Sequence, residues 1–507
     1  MALITAEPGT LDWYLARQVD QILRRNHRYD RSERYVTGNH PYPTGEKRYV
    51  RALYDFQKMA RTNYFGLVTL SPVERMRVLG IKFGQNNEAD SEAADMLLAN
   101  DWDYQEAMIH LYAATFGDAY VLVSPPDNDS NGQPVFTMED PRLCGVESVP
   151  GRPTITQAGV RMWEDELSGR MQAIVMVRAN DPSGRAQVGY YVGPTVEDCA
   201  NYDLPTLSKK LTTFGAAESF KLVDVQSLPI PVVPLQRYAW NPSLNNVSLS
   251  EGEVFNLHDI QDRINQQILD KLVISRAQAY KQRYISGGKI PTGPDGRKRA
   301  PFDPGSDILW VVEDKDVKFG EFSEADIRQV LDSVQQDVGD MAAISKTPPH
   351  YLLGKIVNAS GDALKASEAG LVSKTKLRMR AMGFGHEKVL RIGFMYLGNP
   401  KATQNAQVMW ADPEEQQTSA LADAGLKYTQ MGIPLALAME KMQFTPEQIN
   451  FAVAEKKKED ARQAALMAVA GAAKAGQPTN PQATGRQGGQ APAGNGTSAD
   501  QPNKTNR

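Results

Sequence analysis

The chain has 507 residues, 41% hydrophobic and 23% charged, with a net charge of −4. A chain of this length can bury sizeable cores and exceeds the usual single domain, so two or three packed units and a tail are expected. Mild acidity argues against a dedicated DNA-gripping protein, and without a run of 18 apolar residues or a basic region leading into an apolar core, neither a membrane span nor a signal peptide is predicted.

Charge is segregated along the N-terminal half. Arg17 to Arg61 holds eleven basic against five acidic residues, whereas Phe83 to Pro141 holds twelve Asp or Glu and no Lys or Arg. Such clusters are read first as solvated faces and intersubunit pairing, and second as contact with, or repulsion from, phosphates. Ser71-Pro72-Val73-Glu74 has the components of a capping box and predicts a helix start. Helices are expected over Glu92 to Leu98 and Tyr104 to Thr115, followed by a strand from Ala119 to Val123. Asp101 and Asp103, flanked by Trp102 and Tyr104, are read as a capped helix start rather than a metal pair. Residues 135 to 235 alternate β-prone runs, such as Ala173 to Val177 and Val188 to Val192, with Gly and Pro turns.

From Leu249 to about Ser286 there is no proline, and Leu257, Ile260, Ile264, Ile268 and Leu272 recur at three and four residues, one narrow face of a helix. A helix over that whole stretch would be roughly 55 Å long. Its other faces carry Asp259, Asp262, Asp270, Lys271, Arg276 and Lys281, so the stripe is expected to pack against copies of itself. Gly287 to Arg299 then reads as a protruding loop carrying Lys289, Arg297, Lys298 and Arg299. The β-prone run Ile308 to Val312 returns the chain.

A second helix is expected from Ser323, with Ile327, Val330, Leu331, Val334, Val338 and Met341 as its stripe. Thr347-Pro348-Pro349-His350 interrupts regular helix, because each proline removes a donor and restricts its predecessor. Ser360 can cap a third helix to about Leu397, with a face of Leu364, Leu371, Met379, Met382, Val389 and Tyr396 interrupted by Glu368, Thr375 and His386. Asp412-Pro413 and Thr445-Pro446 open two further helices ending near Met431 and Ala473. Residues 476 to 507 have almost no large apolar side chain and are expected to be disordered.

Catalytic signatures are missing: no Walker loop, HExxH, paired CxxC, GxSxG or strand-linked GxGxxG occurs. Ser373 and Lys376 match SxxK without its companion motifs, and His386, lacking a second motif histidine, reads as a hydrogen-bonded core or interface residue. Cys144 and Cys199 lie far from zinc spacing and are expected as reduced thiols. Neither a metal nor a cofactor is expected, and the chain is read as a non-enzyme.

The order of parts resembles the portal proteins of tailed bacteriophages, in the branch common among phages of actinobacteria. The matching residues are the Pro-rich strand Leu228 to Leu235, the helix containing Leu257 to Asn265, the Thr347 to Gly354 loop, Asn358 to Lys365, Trp410-Ala411-Asp412-Pro413 and Gly432-Ile433-Pro434. The resemblance spans roughly residues 10 to 475. It implies an α+β portal fold with a wing over 1–248, stem helices over 249–286 and 323–343, a clip over 287–322 and a channel loop over 344–360. A long wing helix over 361–400, a crown over 401–475 and a tail over 476–507 complete it.

The implied function is a ring, expected as a dodecamer, at one capsid vertex of the virion, assembled in the host cytoplasm. Double-stranded DNA would pass through it non-specifically during packaging and ejection. Lys346, Lys355 and Asn358 are the candidates to face DNA, the competing reading being a structural turn with incidental lysines. Lys289, Arg297, Lys298 and Arg299 are candidate clip contacts, and Leu257, Ile260, Ile264, Ile268 and Leu272 candidate stem packing. Implied partners are a terminase motor, the major capsid protein and a head-tail adaptor. The alternatives are another phage head or tail structural protein, and a nucleic-acid enzyme with an unrecognised site.

Overall fold

The computed structural model describes residues 6–45, 50–84, 89–180, 184–195, 220–242, 249–279, 283–287, 294, 296, 316–321, 326–354, 361–414, 418–442, 444 and 446–475. The chain divides into a body, Met1–Pro446, and a C-terminal unit, Glu447–Arg507. The described part of the latter belongs to one helix, Pro446–Ala475, whose first residue is the last of the body, with Phe451, Leu466 and Met467 exposed.

The body opens with helix α1 (Leu11–Val36), which the sequence reading did not identify. Thr10 caps it by accepting a hydrogen bond from the Trp13 backbone N–H at 3.3 Å. Its buried face, Tyr14, Leu15, Val19 and Ile22, covers a five-stranded antiparallel sheet made by β4 (Cys144–Val149), β5 (Arg152–Asp165), β6 (Arg170–Val177), β7 (Gln187–Thr195) and β8 (Lys221–Ser227). Sheet residues Val160, Met162, Ala173, Val175 and Tyr191 complete that core, and β6 and β7 contain the β-prone runs Ala173 to Val177 and Val188 to Val192. Cys144 is buried with a free thiol.

A second core lies between helices and smaller sheets. Helices α2 (Val50–Ala60), α3 (Phe65–Val73), α4 (Ser91–Leu98) and α5 (Trp102–Phe116) precede a three-stranded sheet of β3 (Val135–Glu139), β2 (Asp118–Ser124) and β9 (Leu235–Ala239). Against it packs the 36-residue helix α9 (Gly361–Tyr396), about 54 Å long, contributing Met379, Met382, Val389 and Phe394. Strand β1 (Val78–Phe83) pairs antiparallel with β12 (Ala406–Trp410), joining the early chain to residues beyond α9.

A third core holds α6 (His258–Ala279) beside α7 (Ile327–Ser345), two antiparallel neighbours linked through the hairpin of β10 (Arg283–Ser286) and β11 (Lys318–Glu321). Short helix α8 (Pro349–Leu353) follows, and beyond β12 come α10 (Thr418–Gln430) and α11 (Leu435–Lys441).

Several expectations change. Helix α6 starts at His258 instead of Leu249, because the backbone before it is used elsewhere: Glu251 N–H donates to the Asn241 carbonyl at 2.8 Å and Glu253 N–H to the Ala114 carbonyl at 2.7 Å. Gly117, at φ 93°, lets the chain pass within 2.6 Å of where a Cβ would meet the Ser250 carbonyl. At the other end Arg283–Ser286 pairs as a strand instead of continuing helix. The stripe is also covered within the chain: Leu257 and Ile264 are buried, with Ile260 and Ile268 half-buried, against Tyr35, Phe65, Val338 and Met341. Leu272 is half-buried.

Ser71-Pro72 ends a helix rather than starting one. The Ser71 hydroxyl donates to the Leu67 carbonyl at 2.5 Å and Glu74 is the C-cap; Pro72 has no N–H to offer the Val68 carbonyl, so the ladder breaks one residue before the helix ends. Asp101 does begin α5, at φ 47° and without a side-chain capping bond. The Pro-Pro loop contains α8 because Pro349 occupies its first turn, where a missing N–H costs nothing. Asp326 caps α7, accepting from Arg328 N–H, and Ser323 lies outside the described residues. The Asp412-Pro413 helix is described from Thr418, and the predicted strand Ile308 to Val312 falls outside the described residues.

Four of the six histidines sit where burial suppresses their charge: His40 is pushed down to about 4 and His110 to about 3, and His258 and His386 are lowered too. Burial works oppositely on the Glu106 carboxyl, pushed up to about 8. Below pH 6.5 the unfolded chain takes up protons that the folded rings decline, so this part of the stability is lost as pH falls. Glu106 contributes stability below pH 4.5 that is lost as pH rises toward 8.

Two outcomes are expected. Ile264→Ala lowers the stability of the chain by roughly 2–5 kcal/mol, read as a shifted urea midpoint. Across pH 6.5 to 5 the wild-type midpoint falls, and His110→Gln flattens that limb by up to about 1.4 kcal/mol per pH unit.

Candidate functional site

The proline loop emerges from a left-handed turn. Lys346, at φ 53°, ends α7 with its N–H shared between the Ala342 and Ala343 carbonyls, and its side chain is exposed. The Thr347 N–H returns to the Ala342 carbonyl at 3.0 Å, and the buried Ser345 hydroxyl donates to Thr347 Oγ1 at 3.0 Å. Leu352 plugs into the core beside Leu257 and Met341, and Gly354, at φ 62°, closes α8.

Polar contacts pin this turn to the long helix. The Tyr351 hydroxyl accepts from Arg75 at 2.7 Å and lies 3.5 Å from Glu368 Oε1 on α9. Arg75 pairs with Glu368 at 3.2 Å and donates to the Pro413 carbonyl at 3.0 Å. One guanidinium therefore ties α8, α9 and the segment after β12 together.

Behind the loop lies a buried charge cluster. The Glu253 carboxylate pairs with Lys374 at 2.8 Å and Arg378 at 3.3 Å, and accepts the Trp240 indole N–H at 2.7 Å. Lys374 also donates to the Ser345 carbonyl at 2.7 Å, the residue preceding the loop. Arg378 reaches the Trp240 carbonyl and Asn241 Oδ1, and its guanidinium lies over the Trp240 ring. Desolvation lowers the Lys374 pKa, opposed by Glu253. Beside the cluster opens a cleft of about 740 Å³, whose lining includes Lys346, Lys365, Arg380, Glu251, Glu368 and Glu414.

Of the residues expected to face DNA, Lys346 is exposed at the loop base, and Lys355 and Asn358 lie outside the described residues. Lys289, Arg297, Lys298 and Arg299 lie outside them as well. Lys376 of the SxxK match stands 3.4 Å from Asp412 in a surface pair. Glu253, Arg378, Arg75 and Glu368 went unrecognised as a group, since no spacing connects residues so far apart. The only signal was the polar interruption of the α9 stripe at Glu368.

Glu253→Gln leaves Lys374 and Arg378 without their shared counter-charge in a site where Glu253 is 4% exposed. The expected loss is roughly 3–5 kcal/mol by denaturant titration, partly recovered when Lys374→Met is added.

The profile of the family described as "Phage portal protein, SPP1 Gp6-like" matches residues 17–465. The portal protein of Mycobacterium phage D29 is 25% identical over 385 residues, covering 73% of this chain and 72% of that one. That of Mycobacterium phage L5 is 24% identical over 384 residues, covering 73% of each. Among solved structures, a chain from the "Neck of empty GTA particle computed with C6 symmetry" is 12% identical with a TM-score of 0.38, covering 77% of this chain and 91% of that one. One from the "Virion of native gene transfer agent (GTA) particle" is 11% identical with a TM-score of 0.37, covering 80% and 94%. With a family match running from α1 into the C-terminal helix, the chain belongs to the phage portal protein family.

Proposed function

We propose that copies of this portal protein close into a twelve-membered ring at one capsid vertex, with segment 344–360 facing the double-stranded DNA that passes through. Membership of the portal family over residues 17–465 carries this reading. The local geometry supports it: the loop leaves an anchored turn, with Thr347 and Leu352 buried and Lys346 exposed. A duplex sliding past needs contacts to phosphates and none to base edges, and exposed Lys346, together with Lys355 and Asn358 of the same segment, has the chemistry for them.

In this arrangement Lys289, Arg297, Lys298 and Arg299 at the clip meet the head-tail adaptor or the terminase motor, and the wing meets the major capsid protein. The family is a structural one, and the energy for packaging comes from the motor and not from this chain. Assembly takes place in the host cytoplasm before the ring is built into the virion. The stem helices α6 and α7 present to neighbouring subunits the faces left over after Leu257 and Ile264 are buried within the chain.

Cryo-electron microscopy of the purified protein tests this. Class averages should show a closed ring with a bore wide enough for duplex DNA and the 344–360 segment lining it. A stable monomer or dimer at micromolar concentration, or a ring whose bore is lined by other segments, overturns the assignment.

A further inference from the structure

We propose that Glu106, His110 and His386 bind one divalent transition-metal cation of the zinc type, which ties helix α5 to the long helix α9. One ligand atom from each residue lies within 4.8 Å of the others, and all three residues are buried. His110 and Glu106 stand one turn apart on α5, and His386 arrives from α9, 276 positions further along.

The spacing of the rings is the central observation. His110 Nε2 and His386 Nε2 are 3.0 Å apart. Two imidazole nitrogens at that distance hold a positive centre between them, either a proton carried by one ring or a cation shared by both. Tetrahedral nitrogen ligands at zinc distances are separated by about 3.3 Å, so a slight opening of the pair seats the ion. With only a proton between the rings Glu106 takes no part in the pair: its Oε1 lies 3.8 Å from His110 Nδ1, a buried nitrogen without a hydrogen-bond partner among the described residues. A cation between the two Nε2 atoms engages both rings and draws in Glu106, whose carboxyl gives up its proton on binding and then offsets the cation's charge.

The surroundings match a built site. The Tyr238 hydroxyl lies 3.2 Å from His386 Nδ1 and fixes the ring with Nε2 toward His110, as partners of metal-bound histidines do. A Cβ on Gly385 would run into the Tyr238 ring, so that approach depends on glycine. Glu106 is steadied by the Val78 N–H at 2.9 Å. The Trp102 and Trp410 rings pack against His386 at 5.5 and 5.7 Å. Two nitrogens and one carboxylate favour zinc, cobalt or nickel over calcium or magnesium, which prefer all-oxygen shells.

The test uses the untagged full-length protein, stripped with a chelator, checked by circular dichroism and titrated with Co²⁺ and then Zn²⁺. The expected result is one Co²⁺ per chain with visible d–d bands that Zn²⁺ abolishes, and a higher melting temperature in the metal-bound form. His386→Gln weakens binding by at least about 100-fold. If the chelator unfolds the chain and Zn²⁺ restores it, the proposal is equally supported. A substitution in the core can itself unfold the chain, so the wild type decides. A stripped, folded wild type that takes up neither ion and shows no bands overturns the proposal, as does full affinity in folded His386→Gln.

Discussion

Glu253 has almost no contact with water, yet it carries a charge that the body is arranged around. Its carboxylate collects Lys374 and Arg378 from α9 and the Trp240 indole N–H, and its own backbone N–H closes onto the Ala114 carbonyl at the end of α5. Such a cluster gives little net stability over apolar packing, because desolvating the ions offsets most of their attraction. What it does confer is register. A one-turn slip of α9 would separate Glu253 from both cations at once, leaving buried charges without partners.

That register reaches the proline loop by two routes. Lys374 holds the Ser345 carbonyl just before the loop, and Glu368, further toward the start of α9, holds Arg75 beside Tyr351 in α8. The two anchors are six positions apart on one helix, so the loop base follows α9 as a unit. Strand β1 against β12 then locks the far side, with Val78 opposite Trp410.

Local chemistry was legible and distant chemistry was not. The span of α9, the helices near Glu92 and Tyr104, and the strand at Ala119 follow from periodicity and turn residues, and their observed bounds differ by a residue or two. Leu249 to Leu257 contains no proline and so read as helix, whereas its N–H groups go to Asn241 and Ala114, which no pattern within the segment reveals. Ser71-Pro72 carried the right residues for a cap at the wrong end, since a serine bonding back to Leu67 also suits a closing turn. The apolar stripe of α6 was expected to pack against copies of the chain, whereas Tyr35 and Phe65, which lie some two hundred positions earlier, cover part of it within the chain. Of the candidate site, the loop and Lys346 were visible from two adjacent prolines. The charges that position it were not, because ion pairing across the chain leaves no spacing to read.

The same pairing bears on how a duplex would be handled. A surface evolved to hold phosphates keeps its cations available for them, and each one engaged with a phosphate adds to the affinity and its salt dependence. Around the loop base several cations are already engaged: Lys374 and Arg378 with Glu253, Arg75 with Glu368, Lys376 with Asp412. Lys346 and Lys365 remain exposed on a cleft they share with Glu251, Glu368 and Glu414. Cations interleaved with carboxylates present DNA with a shallow potential that alternates in sign over a distance near the Debye length, about 8 Å at physiological salt. On the reading of 344–360 as the DNA-facing segment, each subunit then offers brief, weak contacts that a ring repeats around its bore, which suits passage better than retention by any one site.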